Sequence, residues 1–310
     1  MGQLIPRLMF FFRCLYQGRF PVMKTLLFPL VAALALSACS SKVDFEIDNP
    51  TATPLAIRID GKDLPVAANA SRAVSLAPGE HQLHTDHLGD VRFIVYAGSR
   101  GGLINPTLSE YVTAREIYVT GEDKLKNFGS SGLGMELGGV QFKGPYEKHH
   151  GLFIDKNWNF GVRQPFPEEQ IVAHVDASGG KISTKVFTAP DFIDYVEQSM
   201  GEPGAFKREQ PAGYVAPVYT LEPAPATLPA LDPAFEAHAG PMRELYARWL
   251  KASTASEQKA LRKEDFQVSM AFTQATMTLG STLPVAANEA YNDFVTVRST
   301  EMARSAVVLP

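Results

Sequence analysis

Val43 to Asp48 alternates apolar and acidic positions, and Leu55, Ile57 and Ile59 alternate again after an interruption at 49–54. A period of two marks a strand with one face buried. Asp60-Gly61 is a hairpin signal, and Ala73 to Leu76 and the residues from His81 read as strands either side of the Pro78-Gly79 turn. Residues 91–96 (VRFIVY) are a short apolar run, the pattern of a buried strand, and Ile117 to Val119 reads as its last partner.

Short strands at near-regular spacing, split by Gly/Pro turns, predict an immunoglobulin-like β-sandwich over residues 43–125. A second β region is predicted over 126–200. Its strands fall at Gly139–Lys143, Leu152–Asp155, Trp158–Val162, Ile171–Val175 and Ile182–Phe187, and Ala189-Pro190-Asp191 opens a helix from Phe192 to Met200. Residues 201–233 carry Pro203, Pro211, Pro217, Pro223, Pro225, Pro229 and Pro233. That density excludes helix and central strand, leaving a Pro-rich linker or a strap across a surface. Beyond it the period becomes 3.6. Met242, Leu245, Tyr246, Trp249 and Leu250 share one stripe, and Thr254 to Glu257 has capping-box spacing before a helix reaching about Leu279. A third helix is predicted from Ala286 to about Val307, so 234–310 reads as a helical hairpin or three-helix bundle. The fold class is mainly β with a C-terminal α part.

Met23 to Cys39 (MKTLLFPLVAALALSAC) belongs to no fold element. One lysine, a short apolar core and small residues at the exit make a secretory signal, too short for the about 20 residues that span a bilayer. Its last four residues, Leu36-Ser37-Ala38-Cys39, resemble the lipobox of bacterial lipoproteins. The resemblance implies that residues 1–38 are removed and that Cys39 is lipidated, anchoring the chain to a membrane through acyl chains. Ser40 stands where family members retained at the inner membrane carry Asp, which implies the outer membrane, facing the periplasm, if the host is Gram-negative. Met23 begins a complete signal by itself. Residues 1–22 therefore read as an upstream start chosen in error, or as a long basic region of the same signal. Separately, residues 54–84 (PLAIRIDGKDLPVAANASRAVSLAPGEHQLH) resemble the PEGA-type β-sandwich modules of bacterial surface proteins, which implies a spacer or binding module.

Charge narrows the partners. Residues 1–38 hold four of the 29 Lys/Arg and none of the 33 Asp/Glu, leaving a formal charge near −8 on the rest. Such a chain is unsuited to nucleic acid and to a polybasic grip on anionic lipid. Cys14 leaves with the signal and Cys39 is acylated, so no disulfide forms within one mature chain and the core must hold the fold alone.

Candidate chemistry is sparse. His81, His84 and His87, with Asp86 between, are residue types that suit zinc or copper. In a strand, however, His81 and His84 face opposite ways, which favours a solvated hairpin tip over a metal site. His149-His150 beside Glu147 is a looser group of the same kind. The glycine run from Gly129 to Gly139 lacks the order of a dinucleotide fingerprint and the Lys-Ser/Thr of a phosphate loop, and Ser130 and Ser131 lack a nucleophile elbow. Gly101-Gly102 with Asn105-Pro106 reads as a turn serving a crossover rather than a ligand loop. No catalytic residue, cofactor or metal is expected. The functional expectation is a lipid-anchored cell-envelope protein acting as a non-enzymatic binding or scaffolding module for a protein or cell-wall partner. The alternatives are an immunity-type lipoprotein that neutralises a toxin in the periplasm, and a metal-binding envelope enzyme built on the histidine group.

Overall fold

Period-two alternation continues through the middle strands, but with both faces apolar. On β6 (Gly89–Val95) Val91, Phe93 and Val95 enter one apolar cluster while Ile94, with Tyr96 just beyond the strand, enters another. The computed structural model, which describes residues 42–127, 134–170 and 179–310, shows why: sheets are covered on both sides.

The first sheet contains β1 (Val43–Asn49), β4 (Ala70–Leu76), β7 (Gly102–Ile104) and β12 (Phe153–Asp155), in the order β12-β7-β1-β4. β1 is antiparallel to β4 and parallel to β7. The second sheet contains β2 (Ile57–Ile59), β3 (Lys62–Asp63), β5 (Gly79–Thr85), β6 and β14 (Ala306–Val308), in the order β14-β6-β5-β2-β3. Phe45 and Ile47 of the first sheet meet Leu83, Phe93 and Val308 of the second in one core. Asp60 and Gly61, both at positive φ, make the β2–β3 turn that the sequence signals.

A third sheet combines β8 (Tyr111–Val119), β11 (Tyr146–His149) and β13 (Gly180–Thr188), in the order β11-β8-β13. Leu103 and Ile154 on the back of the first sheet pack with Tyr111 and Val186 of the third. The other face of the third sheet packs on the hairpin of β9 (Met135–Leu137) and β10 (Val140–Phe142) and on α1 (Ala189–Met200), with Phe142 and Phe192 at the centre. Thr188 caps α1, Pro190 occupies its first turn and Gly201 ends it in the left-handed conformation.

The back of β6 is covered by α3 (Pro233–Trp249), α4 (Ala255–Thr276) and α5 (Val285–Ala303). Tyr96 stacks on Trp249 with centroids 4.1 Å apart and planes at 9°. The fully buried Gln258 of α4 donates to the carbonyls of Val95 and Ala252 and accepts from the N–H of Ala97. The capping box at Thr254 and Glu257 is formed.

Five local expectations differ from the structure. Ile117 to Val119 end β8, which pairs with β11 and β13 rather than with the strand at 91–96, whose neighbours are β5 and β14. The third helix stops at Ala303, and Ala306 to Val308 turn back as β14 on β6. Three buried residues, two of them β-branched, complete a sheet edge better than they extend a surface helix. Residues 158–162 make no strand beyond a bridge between Phe160 and Lys185, because Thr184 and the Lys185 amine take up their backbone groups. The turn segment at 101–104 contains β7, and the prolines at 203 and 211 leave room for a short helix, α2 (Ala205–Glu209). The predicted strand at 171–175 lies outside the described residues. The remaining proline-rich chain is extended and runs over the surface as a strap: Ala224 donates to the Val308 carbonyl, and Arg243 donates to those of Leu228 and Pro229.

Candidate functional site

Leu36-Ser37-Ala38-Cys39, the stretch that resembles a lipobox, lies outside the described residues. The four residues singled out on and after β5 are dispersed. His81 points inward at the end of the core, stacked on Phe93 with centroids 5.4 Å apart, its Nδ1 2.6 Å from Asp60 Oδ2 and its Nε2 2.7 Å from the Ala77 carbonyl. His84 points outward and pairs with Asp90 at 2.8 Å. His87 borders a different cleft from the one that Asp86 and His84 border. The opposite-face argument for His81 and His84 therefore holds. Among the described residues no group of three or more His, Cys, Asp and Glu is placed to hold a metal ion.

The structure shows a buried ionic network that alternation alone concealed. Asp44, Glu46 and Asp48 share one face of β1, yet Asp48 is fully buried because the third sheet and the 156–170 segment cover its end of the strand. Its carboxylate accepts from Tyr111 Oη at 2.6 Å, Ser71 Oγ at 2.5 Å and Arg163 Nη2 at 2.9 Å. Nearby, buried Lys185 donates to the carbonyls of Gly161, Val162 and Gln164 at 2.9, 3.0 and 2.7 Å. Burial pulls its pKa down to about 8, so it stays mainly charged at neutral pH. The donors and acceptors match, so this network serves the architecture.

The open polar chemistry lies on either side of Asp155. The Asp155-Lys156-Asn157 turn and the C-terminal end of α5 separate two clefts of about 480 Å³ each. The first collects Glu147, His149, His150, Glu222 and Arg304. The His150 ring stacks on Tyr219 at 3.9 Å, and His149 Nε2 lies 3.1 Å from Thr113 Oγ1. Burial holds the His149 imidazole below its ordinary value, outweighing the opposing pull of Glu147. The loose pair noted in the sequence thus does line a cleft, with mixed signs and hydrogen-bonding groups. Strand β11, which leads into the pair, lacked a pattern of its own in the sequence.

The second cleft is lined by Arg100, Lys156 and Arg262, with Asp155 as its one carboxylate. Asp155 Oδ1 accepts from the Ser305 N–H at 2.6 Å. Arg262 lies over the Trp249 ring, 5.6 Å from its centroid, and partial burial lowers its pKa. Three guanidinium and ammonium groups at one concavity give a place for an anion, and nothing in residue spacing could have found it, since they come from three distant segments.

Compared with models of known families, with curated proteins and with solved structures, the chain matches none.

Proposed function

We propose that the chain is a lipid-anchored cell-envelope protein that works as a non-enzymatic binding or scaffolding module for a protein or cell-wall partner. The observation that carries this is Leu36-Ser37-Ala38-Cys39, a lipobox-like sequence placed four residues ahead of the first strand. Two facing sheets with a Gly/Pro-turned sequence support an immunoglobulin-like sandwich related to PEGA-type modules as the body of that anchor. The surface supports binding more than turnover. The two clefts beside Asp155 are open and polar, and His81, among the described residues the one histidine with a carboxylate on one nitrogen and a carbonyl on the other, is tied into the fold by both.

Growth with radiolabelled palmitate tests the anchor. Label on the wild-type protein, absent from Cys39→Ser, with loss of outer-membrane fractionation in that variant, is expected; an unlabelled wild-type protein overturns the proposal. Crosslinking in intact cells followed by identification of the captured species tests the binding role, and a specific envelope protein or glycan strand is the expected catch.

A further inference from the structure

Helix α4 separates its charges. Its acidic residues are all engaged: Glu257 accepts from the N–H groups of Ser253 and Thr254, Glu264 pairs with Arg248, and Asp265 pairs with Arg298. Its basic residues, Lys259, Arg262 and Lys263, make no ion pair with any of the described residues. At about 100° per residue, those three cations share an arc of about 100° with Phe266, Met270 and Met277, and the three acids fall outside it. The apolar members are 69%, 45% and 74% exposed. One aromatic and two thioether side chains held in solvent beside unpaired cations form the kind of helix face that settles at a lipid headgroup boundary.

Arg262 carries this face into the cleft it shares with Arg100 and Lys156, neither of which is ion-paired among the described residues. The one carboxylate there, Asp155, is committed to the Ser305 N–H. Five cations therefore border one surface of a chain that is negative overall. That surface also adjoins the start of β1: an added Cβ on Gly101, the residue after Arg100, would come within 3.4 Å of Val43 Cγ1. Cys39 precedes Val43 by four residues, at most about 14 Å of fully extended chain.

We propose that this surface docks on an anionic bilayer, with a lipid phosphate seated among Arg100, Lys156 and Arg262 and with Phe266, Met270 and Met277 entering the headgroup boundary. The setting rests on the lipid-anchor reading, while the contacts themselves need no acyl chain. Docking here would lay the chain against the membrane near its anchor and turn the opposite surface toward a partner.

The test uses the full chain carrying Cys39→Ser and Phe266→Trp, mixed with vesicles of phosphatidylcholine alone or with about 30% phosphatidylglycerol. Trp158 and Trp249 are buried, and because Arg262 lies over the Trp249 ring the vesicle-free spectrum of each protein is subtracted as its own background. On anionic vesicles the emission is expected to move to the blue and to be quenched by brominated acyl chains. Each cation near such a surface contributes about fivefold in partitioning, so adding Arg100→Gln, Lys156→Gln and Arg262→Gln should weaken association about 100-fold. Both proteins carry the same residues 1–41, so the difference between them reports the cleft. An unchanged urea midpoint verifies that the substituted chain is folded. Emission that stays water-like on anionic vesicles overturns the proposal, as does association indifferent to the three substitutions. Binding of inorganic phosphate without vesicle association also overturns it, assigning the cleft to a soluble anion instead. Absence of palmitate from Cys39 together with a blue-shifted emission from the Phe266→Trp reporter would remove the anchor alone and leave the docking surface standing.

Discussion

Asp48 of β1 and Tyr111 of β8 meet in the interior, the phenol donating to the carboxylate at 2.6 Å. The contact ties the first sheet to the third, and Arg163 completes it from the 156–170 segment with three hydrogen bonds of 2.9 to 3.1 Å to the same carboxylate. Burial and its carboxylate neighbour together hold the Tyr111 hydroxyl far above its ordinary range, which keeps it the donor to Asp48 at neutral pH. A buried charge is tolerable only while its partners remain, and removing one partner of such a pair costs about 3–5 kcal/mol. Asp48→Ala should therefore destabilise the chain by about 3–5 kcal/mol in urea unfolding. A loss below about 1 kcal/mol would mean the network is better solvated than its geometry indicates.

Gly101 and Gly102 should tolerate no side chain. Both have positive φ, 70° and 158°, and an added Cβ would collide with the Asp44 carbonyl at the first and the Ile154 carbonyl at the second. The neighbours are strand backbones in the same sheet, which cannot rotate away as a side chain can. Gly102→Ala is expected to cost at least about 3 kcal/mol, through overpacking and strain together. Gly61→Ala is the control: its added Cβ meets nothing within 4 Å, so only the conformational cost of its φ of 75° remains. Chemical denaturation of both variants gives the comparison.

These glycines also show what could be read from the chain in advance. Their conformational demand was visible as a Gly-Gly pair, but the close approach of β1 and β12 that imposes it is a long-range fact. Alternation located β1 and β2, the Pro78-Gly79 turn located β4 and β5, an apolar run located β6, and the capping box placed the start of α4. Two kinds of feature were hidden. Strands such as β11 (YEKH) have no period, since a polar ribbon on the third sheet is held by backbone pairing to β8. Segments whose state depends on a distant partner, β14 and the 158–162 stretch, follow local propensity only until that partner arrives. The site divides likewise. The His149-His150 pair is contiguous and legible, whereas Arg100, Lys156 and Arg262 converge only through the fold.

The closing strand should matter out of proportion to its length. Ala306, Val307 and Val308 are buried, with Val307 turned to the helical core and the other two to the core between the sheets. Beyond them, Leu309 N–H donates to the Arg92 carbonyl. Val307→Asp would place an unpaired carboxylate against Ile94 and the α3–α5 cluster, and a loss of about 3 kcal/mol or more is expected. Val307→Ala should cost less, about 1–3 kcal/mol for the methyl groups removed. Equal melting temperatures for wild type and Val307→Asp would show that β14 is dispensable.

His149 gives the fold a defined acid sensitivity. Burial sets its folded pKa below the unfolded value of about 6.5, and the neighbouring His150 pushes the same way. Between those two values the unfolded chain binds more protons, so stability from this residue rises with pH through that window and is lost as pH falls below about 6.5. Glu301 acts with the opposite sign. Its burial raises the carboxyl above the ordinary value, so its contribution declines as pH rises through the folded pKa. His149→Gln keeps a side chain able to bond Thr113 and removes the titration. Urea midpoints at pH 7.5 and 5.5 should therefore converge in the variant relative to wild type. If the pH dependence is the same in both proteins, the acid response comes from other titrating groups rather than from this imidazole.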